Sequence, residues 1–249
     1  MAHARLVLIR HGQASAGSLR SGSTMAGDYD RLSELGREQA RRLGPWLARW
    51  ARDPAHVLVG PRVRHRETYE EALSTARDAG ATWPEPEAAE GLDEHHGIQL
   101  VHHVGAELVS RPDDIGELAR AAFSAKSDPT KHWLRMFKAL MIAWARGEVG
   151  HEAVEPWLAF RTRVRRVLED AATRNGTVIA FTSGGAIGAA IGEVLGLDHA
   201  PGGIERTLDL CWSVRNASVH EIHVGERGAT LLSFNGVSHL DRDDLITMV

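Results

Sequence analysis

The chain opens with a short apolar run that changes abruptly into polar residues. Residues 6–9 read Leu-Val-Leu-Ile and are followed at once by Arg10, His11 and Gly12. Four consecutive apolar residues are typical of a buried strand, and in an open α/β sheet the residues beyond a strand's carboxyl end form ligand sites. A permanent cation, an imidazole and a glycine that allows close backbone approach predict a site for an anion beside a group that can attack it.

Two more predicted strands end in residues of the same kind. The apolar residues 56–60 run into Pro61 and a helix start with three arginines, and residues 177–182 run into Ser183, Gly184 and a helix of small residues. If the three strands are parallel neighbours, the loops that follow them share one rim of the sheet. That rim offers arginines, a histidine, hydroxyl groups and the amides of a helix N-terminus, all of which suit a phosphate.

The order of strand and helix patterns predicts the fold class. Strands alternate with helices, which favours an α/β fold, and residues 218–224 and 230–234 predict a closing hairpin. We therefore expect a three-layer sandwich, with a mostly parallel central sheet and helices on both faces. We expect one domain over residues 1–249, with a helical insertion or lid at about 95–155 and a loop rich in Gly, Ser and Ala at 13–31.

Charge and composition exclude several classes of protein. The net charge is -4 with no long basic run, which gives no reason to expect a nucleic acid partner. No apolar stretch approaches the roughly 18 residues of a membrane span, and the single cysteine, Cys211, fits a reducing compartment. These features predict a cytoplasmic protein that binds neither nucleic acid nor membrane, and they leave its oligomeric state open.

Several segments together resemble the histidine phosphatase superfamily, which has the phosphoglycerate mutase-like fold. The opening Leu-Ile-Arg-His-Gly-Gln-Ala matches that family's signature, and residues 32–40 are similar to its Leu-Thr-x-x-Gly-x-x-Gln-Ala segment. Residues 60–68, Gly-Pro-Arg-Val-Arg-His-Arg-Glu-Thr, resemble its Ser-Pro-x-x-Arg-Ala-x-Gln-Thr segment. Leu92-Asp93-Glu94 matches its Leu-x-Glu, and residues 216–218 and 235–240 resemble its C-terminal pattern.

The resemblance implies a phosphomonoester hydrolase with a phosphohistidine intermediate. It assigns the attacking nitrogen to His11 and the proton donor to Glu94, which would carry a proton in the presence of a substrate dianion. Phosphate binding is assigned to Arg10, Arg64, Ser183 and Gly184, whereas Arg62 and Arg66 are expected to lie in solvent. Because arginines supply the positive charge, the expected enzyme needs no metal and no cofactor, and its partner is a small phosphorylated metabolite.

One departure from the family pattern concerns a second histidine. The family carries Ser-His-Gly-Gly after a late strand, whereas this chain reads Thr182-Ser183-Gly184-Gly185, so Ser183 stands where the second imidazole belongs. A missing charged donor in a preorganised site typically costs about 10²–10³ in rate. We therefore expect a slow enzyme, and we expect Ser183→His to raise its turnover at least about tenfold unless another group already fills the gap.

Alternative functions remain open at the level of sequence. Phosphoglycerate mutase-type phosphotransfer is disfavoured because residues 13–31 hold no Asn, and a phosphate-binding protein of low activity would also fit the loss of the second histidine. A serine hydrolase would combine Ser183 with a histidine such as His220 or His239. The doublets His95-His96 and His102-His103 suggest zinc, but neighbouring residues of a strand point to opposite faces, which disfavours two ligands from one doublet.

Overall fold

The computed structural model describes residues 4–15, 30–225 and 228–248. Most of the loop predicted at 13–31 therefore lies outside the described residues. The chain divides into a sheet unit, Met1–Glu94 with Arg163–Val249, and a helical unit, His95–Thr162. None of the helices in the described ranges combines the length and the apolar composition that a membrane crossing requires.

The sheet unit is built on one mixed sheet. Its strands, within the described residues, are β1 (Ala4–Arg10), β2 (His56–Val59), β3 (Glu87–Ala88), β4 (Gly176–Thr182), β5 (Val219–Gly225) and β6 (Gly228–Gly236). They lie in the order β3-β2-β4-β1-β5-β6. Strands β1 to β4 pair in parallel, and β5 and β6 join antiparallel as the predicted hairpin.

The parallel register brings three strand ends to one edge. Ile9 of β1 and Val59 of β2 both lie opposite Phe181 of β4, and Arg10 lies opposite Thr182. The three polar loops that follow these strands therefore begin at the same level of the sheet. The α/β fold that the strand and helix patterns predict is confirmed.

Both units contain helices. Their bounds are α1 (Glu34–Trp50), α2 (Val63–Asp78), α3 (Gly97–Ser110), α4 (Asp114–Ser124), α5 (Pro129–Ala145), α6 (Trp157–Thr173), α7 (Gly184–Val194) and α8 (Gly203–Ser213). Helix α1 begins where Ser33 accepts a hydrogen bond of 3.0 Å from the Gly36 amide. A serine side chain in that position satisfies an amide that the helix itself leaves unpaired.

Alternation along the strands sorts their side chains between two helical layers. Val7, Ile9 and Phe181 are fully buried in a cluster with residues of α1 and α2, including Leu43 and Tyr69. The alternate strand residues, such as Leu6, Leu8, Val178 and Ala180, are buried as well. Helix α7 contacts β1 and packs on α8, and it is made of small apolar residues that are almost all buried.

Close approach explains the glycine at position 188. A Cβ atom there would lie 2.4 Å from the backbone nitrogen of Cys211, so α7 and α8 could not pack so closely with any other residue. Helix α7 is thereby fixed against α8, and its N-terminus is fixed at the sheet edge where β1 and β4 end.

The helical unit has aromatic packing of its own. Trp144 lies edge-on to Trp157 with ring centroids 5.3 Å apart, and Met136 and Leu140 are fully buried. His102 and His103 lie on helix α3, so the strand geometry used to interpret their doublet is wrong. That residues 95–155 form an insertion covering a site stays a prediction.

Candidate active site

The backbone beyond β1 fixes the imidazole of His11. The amide of His11 donates to Thr182 O over 2.9 Å, and its Nδ1 lies 2.6 Å from Gly12 O. A carbonyl oxygen only accepts hydrogen bonds, so Nδ1 carries the proton and Nε2 has a free electron pair. The side chain is buried, with 6% of its surface exposed.

Gly12 is required by packing against the start of α1. A Cβ atom at Gly12 would lie 2.3 Å from Gly36 O. The Gly12 amide donates to Thr68 Oγ1 over 3.1 Å, and that hydroxyl donates to Arg64 O over 2.7 Å. The sequence suggested that this glycine admits an anion to the backbone. In the structure Gly12 instead lies against the backbone of Gly36, and the carbonyl oxygen of Gly12 sets the tautomer of His11.

Arg64 connects three elements through its guanidinium group. It lies in the first turn of α2 and is buried to the same extent as His11. Its Nε donates to His11 Nε2 over 3.1 Å, its Nη1 to Asp30 over 2.9 Å and its Nη2 to Ser183 Oγ over 3.4 Å. The arginine predicted as a phosphate ligand and the histidine predicted as a nucleophile are therefore in direct contact.

The carboxylate of Asp30 occupies donors that an anion could use. Besides its ion pair with Arg64, it accepts a hydrogen bond of 3.1 Å from the Val63 amide at the start of α2. A guanidinium and a helix N-terminus form a favourable position for negative charge. Sequence reasoning missed Asp30, which lies 34 residues before Arg64.

Arg10 lies at the start of α7. Its Nη1 donates to Val214 O and, over 2.6 Å, to Met248 O. A Cβ atom added at Gly184 would lie 3.5 Å from Arg10 Nε, which shows how closely the guanidinium approaches the first residue of this helix. Two of the residues predicted to bind phosphate, Arg10 and Gly184, are thus adjacent.

Burial and positive charge keep His11 neutral. Burial lowers the pKa of His11 well below its ordinary value, and the charges of Arg64 and Arg10 lower this pKa further. A neutral imidazole with Nδ1 protonated is the form that can attack through Nε2.

Ser183 meets a histidine that the sequence analysis did not assign. His65 follows Arg64 on α2, and its Nε2 lies 2.6 Å from Ser183 Oγ. Both residues have no exposed surface, and the ring of His65 lies 5.8 Å from that of His11. The signal was present in the sequence, because the segment at 60–68 has His where the similar family segment has Ala. The departure at position 65 could not be interpreted until the structure showed that His65 contacts Ser183.

Glu94 also reaches the N-terminus of α7. Its Oε2 accepts a hydrogen bond of 3.2 Å from the Gly185 amide. The amide of Glu94 donates to Asp93 Oδ1 over 2.7 Å. The predicted proton donor is therefore anchored at the same helix start as Arg10 and Ser183.

Arg62 is not in solvent, which corrects the sequence-based expectation. It immediately precedes α2 and forms an ion pair with Asp93, in which Nη2 donates over 3.0 Å to Oδ2 and Nε donates to Oδ1. Arg163 supports the same loop, since its Nη1 donates to Asp93 O over 2.8 Å. Arg66 is exposed. Arg62, which was expected in solvent, and Arg163, which the sequence did not single out, therefore hold the backbone around Glu94.

The geometry disfavours a serine hydrolase. His220 lies 2.9 Å from Ser218, and His239 packs near Trp46, so neither of the histidines considered contacts Ser183. His65 does, but its Nδ1 lies against the backbone of Gly60 and, within the described residues, pairs with no carboxylate, so the third member of a triad is missing. The same described ranges hold no group of three His, Cys, Asp or Glu residues arranged for a metal ion.

The comparison with models of protein families identifies one family. A sequence model of the histidine phosphatase superfamily (branch 1) matches residues 6–128 and 122–236. No protein of curated function matches the chain.

Several solved structures are similar to this chain over nearly its whole length. Phosphoglycerate mutase from Bacillus anthracis has 17% identity and a TM-score of 0.59, with 96% of each chain covered. Phosphoserine phosphatase from Entamoeba histolytica, in complex with phosphoserine, has 19% identity and a TM-score of 0.57, covering 95% of this chain and 99% of that one. Mycobacterial glucosyl-3-phosphoglycerate phosphatase has 19% identity and a TM-score of 0.57, covering 94% and 99%. At such identities the likeness shows the fold.

Proposed function

The chain belongs to the histidine phosphatase superfamily, and from this premise we propose that it hydrolyses phosphomonoesters through a phosphohistidine at His11. One observation carries the proposal. Nε2 of the neutral His11 lies 3.1 Å from Nε of Arg64, in a buried position at the carboxyl end of the central strand β1. A nucleophile and a cation in contact, away from solvent, provide what transfer of a phosphoryl group requires.

The first step forms a bond between His11 Nε2 and phosphorus while the ester P–O bond breaks. The positive charge that develops on the ring is stabilised by Gly12 O, which accepts the hydrogen of Nδ1 over 2.6 Å. Arg64 and Arg10 compensate the charge of the phosphoryl oxygens. The departing alkoxide takes a proton from Glu94, so the first product leaves as an alcohol.

The second step regenerates the enzyme with water. Glu94, now a carboxylate, takes a proton from the water molecule that attacks phosphorus, and the N–P bond breaks. Inorganic phosphate leaves, His11 is neutral again and Glu94 is protonated for the next cycle. Ser183 and the amide of Gly184 at the start of α7 are proposed to hold oxygens of the phosphoryl group in both steps.

The substrate is proposed to be a small phosphorylated metabolite. The phosphoserine bound by the structurally similar Entamoeba histolytica protein supports this class of substrate. A cytoplasmic location, action without a metal and the absence of nucleic acid partners are further parts of the proposal. The single cysteine, Cys211, is buried and unpaired, which is consistent with a reducing compartment.

The test is an assay of the purified protein with p-nitrophenyl phosphate, alongside His11→Ala. We expect turnover that the substitution abolishes. Rapid quenching with ³²P-labelled substrate should trap a base-stable, acid-labile phosphoenzyme in the wild type alone. Binding of inorganic phosphate without turnover would favour a phosphate-binding protein instead, and turnover that persists in His11→Ala would exclude the proposed nucleophile.

A further inference from the structure

His65 and Ser183 form a buried pair next to the proposed nucleophile. Their side chains approach to 2.6 Å, although 118 positions separate them in sequence. Arg64 Nη2 lies 3.4 Å from the same Ser183 Oγ. Ser183 is the N-cap residue of α7, yet its hydroxyl group makes no capping hydrogen bond to that helix. The hydroxyl group of Ser183 instead forms hydrogen bonds with Arg64 and His65.

A third residue, Gly60, makes room for this imidazole. A Cβ atom at Gly60 would lie 2.4 Å from His65 Nδ1 and 3.0 Å from its Cε1. Any larger residue at position 60 would therefore displace the ring. Glycine here is required by a side chain, since the backbone of Gly60 does not lie in the left-handed region.

The three residues coincide with three departures from the family segments described above. Gly60 stands where the similar segment has Ser, His65 where it has Ala, and Ser183 where the late segment has His. Two departures lie together in sequence and the third is more than a hundred residues away, yet all three meet in space. The volume lost at positions 60 and 183 is taken up by the side chain gained at 65.

We propose that the second imidazole of this site has moved from position 183 to position 65, where His65 acts through the hydroxyl group of Ser183. This inference rests on the proposed function and deepens it. Ser183 Oγ contacts a phosphoryl oxygen of the substrate, and His65 is the positioning residue that holds Oγ in place. This role requires the imidazole proton to be on Nε2 when substrate is bound, so that Oγ accepts from His65 and the hydroxyl hydrogen is free to donate to the phosphoryl oxygen.

The protonation of His65 is consistent with such a role. Burial lowers the pKa of His65 well below its ordinary value, and the charges of Arg64 and Arg62 lower it further. A neutral imidazole can orient a hydroxyl group in the free protein without adding a third positive charge beside two arginines.

The arrangement reverses the result expected from restoring the family residue alone. His65 lies within hydrogen-bond distance of Ser183, both residues are fully buried, and no room remains for a second ring. Ser183→His should therefore reduce turnover, because overpacking a filled site forces neighbouring groups out of position. The double variant H65A/S183H removes the imidazole at position 65 and adds one at position 183, so the added ring has the space that the first one leaves.

The experiment compares His65→Ala, His65→Gln, Ser183→His and H65A/S183H with the wild type. The readouts are kcat and KM for p-nitrophenyl phosphate, and the dissociation constant of inorganic phosphate by calorimetry. Thermal unfolding identifies variants that fail to fold. His239→Ala is the matched control, because His239 is a buried imidazole that packs near Trp46 instead of contacting Ser183.

We expect His65→Ala and Ser183→His each to lower kcat by about tenfold or more, in line with the loss of one preorganised donor. The double variant should recover most of what His65→Ala loses, and phosphate affinity should follow the same order. His65→Gln should lower kcat less than His65→Ala does, because the glutamine amide can reach Ser183 Oγ. His239→Ala should lower thermal stability but leave kcat within about twofold.

Two results would overturn the inference. The first is a folded His65→Ala with the kcat and phosphate affinity of the wild type. The second is a folded double variant no better than His65→Ala, which would reduce His65 to a packing residue. Failure of the proposed function is recognised separately, by a wild type that has no turnover. The phosphate titration then still ranks the variants, and a wild type that also fails to bind phosphate contradicts both proposals.

Discussion

Arg64 Nε donates a hydrogen bond of 3.1 Å to Nε2 of His11. The cation proposed to bind the phosphoryl group therefore covers the nitrogen proposed to attack it. Substrate must draw the guanidinium away from the imidazole, which exposes Nε2 at the moment when the phosphate is bound. In the absence of substrate, the same contact holds the ring in place.

Replacing Arg64 should be far more damaging than replacing an exposed arginine of the same helix. Arg64→Ala removes a charged contact from a buried site, for which we expect a loss on the order of 2–4 kcal/mol in kcat/KM. Arg64→Lys should recover only part of the loss, because an ammonium group cannot reproduce three separated donors. Steady-state kinetics with p-nitrophenyl phosphate measure both.

Arg66→Ala is the matched control, since Arg66 is exposed two positions further along α2. It should leave kcat and KM unchanged. Equal losses in Arg64→Ala and Arg66→Ala would mean that the effect comes from net charge and not from contact with His11.

Arg62→Ala should lower kcat more than it raises KM. Arg62 forms an ion pair with Asp93, and Asp93 Oδ1 accepts a hydrogen bond of 2.7 Å from the amide of Glu94. Removing the Arg62 side chain should therefore displace the proposed proton donor, Glu94. We expect a smaller reduction than the roughly 10²–10³ that is typical of losing a group in contact with the reacting atoms. The effect should shrink with a substrate whose leaving group needs no proton, and an equal effect on all substrates would contradict this explanation.

Turnover should persist without metal ions. Arginines provide the positive charge in the proposed mechanism, and chelators cannot remove them. Activity should be the same before and after dialysis against EDTA, and added Mg²⁺ or Zn²⁺ should not raise it. Loss of activity on dialysis, with recovery on adding one of these ions, would refute the arginine-based mechanism.

Acid should destabilise the protein between about pH 6.5 and pH 4. Burial lowers the pKa of His239 to about 4 and the pKa of His220 to about 3, whereas unfolding restores the ordinary value of 6.5. Below pH 6.5 the unfolded chain binds protons that the native protein does not, so the free energy of unfolding decreases as the pH is lowered. At pH 5 each group should account for a loss on the order of 1–2 kcal/mol relative to neutral pH.

Urea unfolding at a series of pH values measures this loss. His239→Asn should reduce the slope of the unfolding free energy against pH, because one group that titrates on unfolding is gone. His102→Asn, at an exposed position of α3, should leave the slope unchanged. An equal change of slope in both variants would exclude burial as the cause.

Local patterns in the sequence predicted most of the strands and the edge of the sheet at which the candidate site lies, but not β3, which has only two residues. The apolar run before Arg10 predicted β1, and the apolar residues 56–60 and 177–182 predicted β2 and β4. Parallel strand ends predicted that the loops with His11, Arg64 and Ser183 share one edge. These features depend on residues close in sequence or on general rules of α/β sheets.

Contacts between distant residues could not be predicted in this way. Arg62 was assigned to solvent because helix spacing alone places it on an outer face, whereas its partner Asp93 arrives from another loop. His65 was overlooked because its neighbour Ser183 lies on a different strand end. A single sequence shows the departures at positions 60, 65 and 183, but only their distances show that one compensates for another.

The strand order has a consequence for how the chain is made. Strand β1 is translated long before its neighbours in the sheet, β4 and β5, which begin at Gly176 and Val219. At a synthesis rate of about 5–20 residues per second, roughly 10–35 s separate the translation of His11 from that of Ser183. Throughout that interval both edges of an apolar strand lack their partners. The nascent chain should therefore depend on chaperones that bind β1, and mutations that slow translation between β1 and β5 should raise aggregation without altering the finished enzyme.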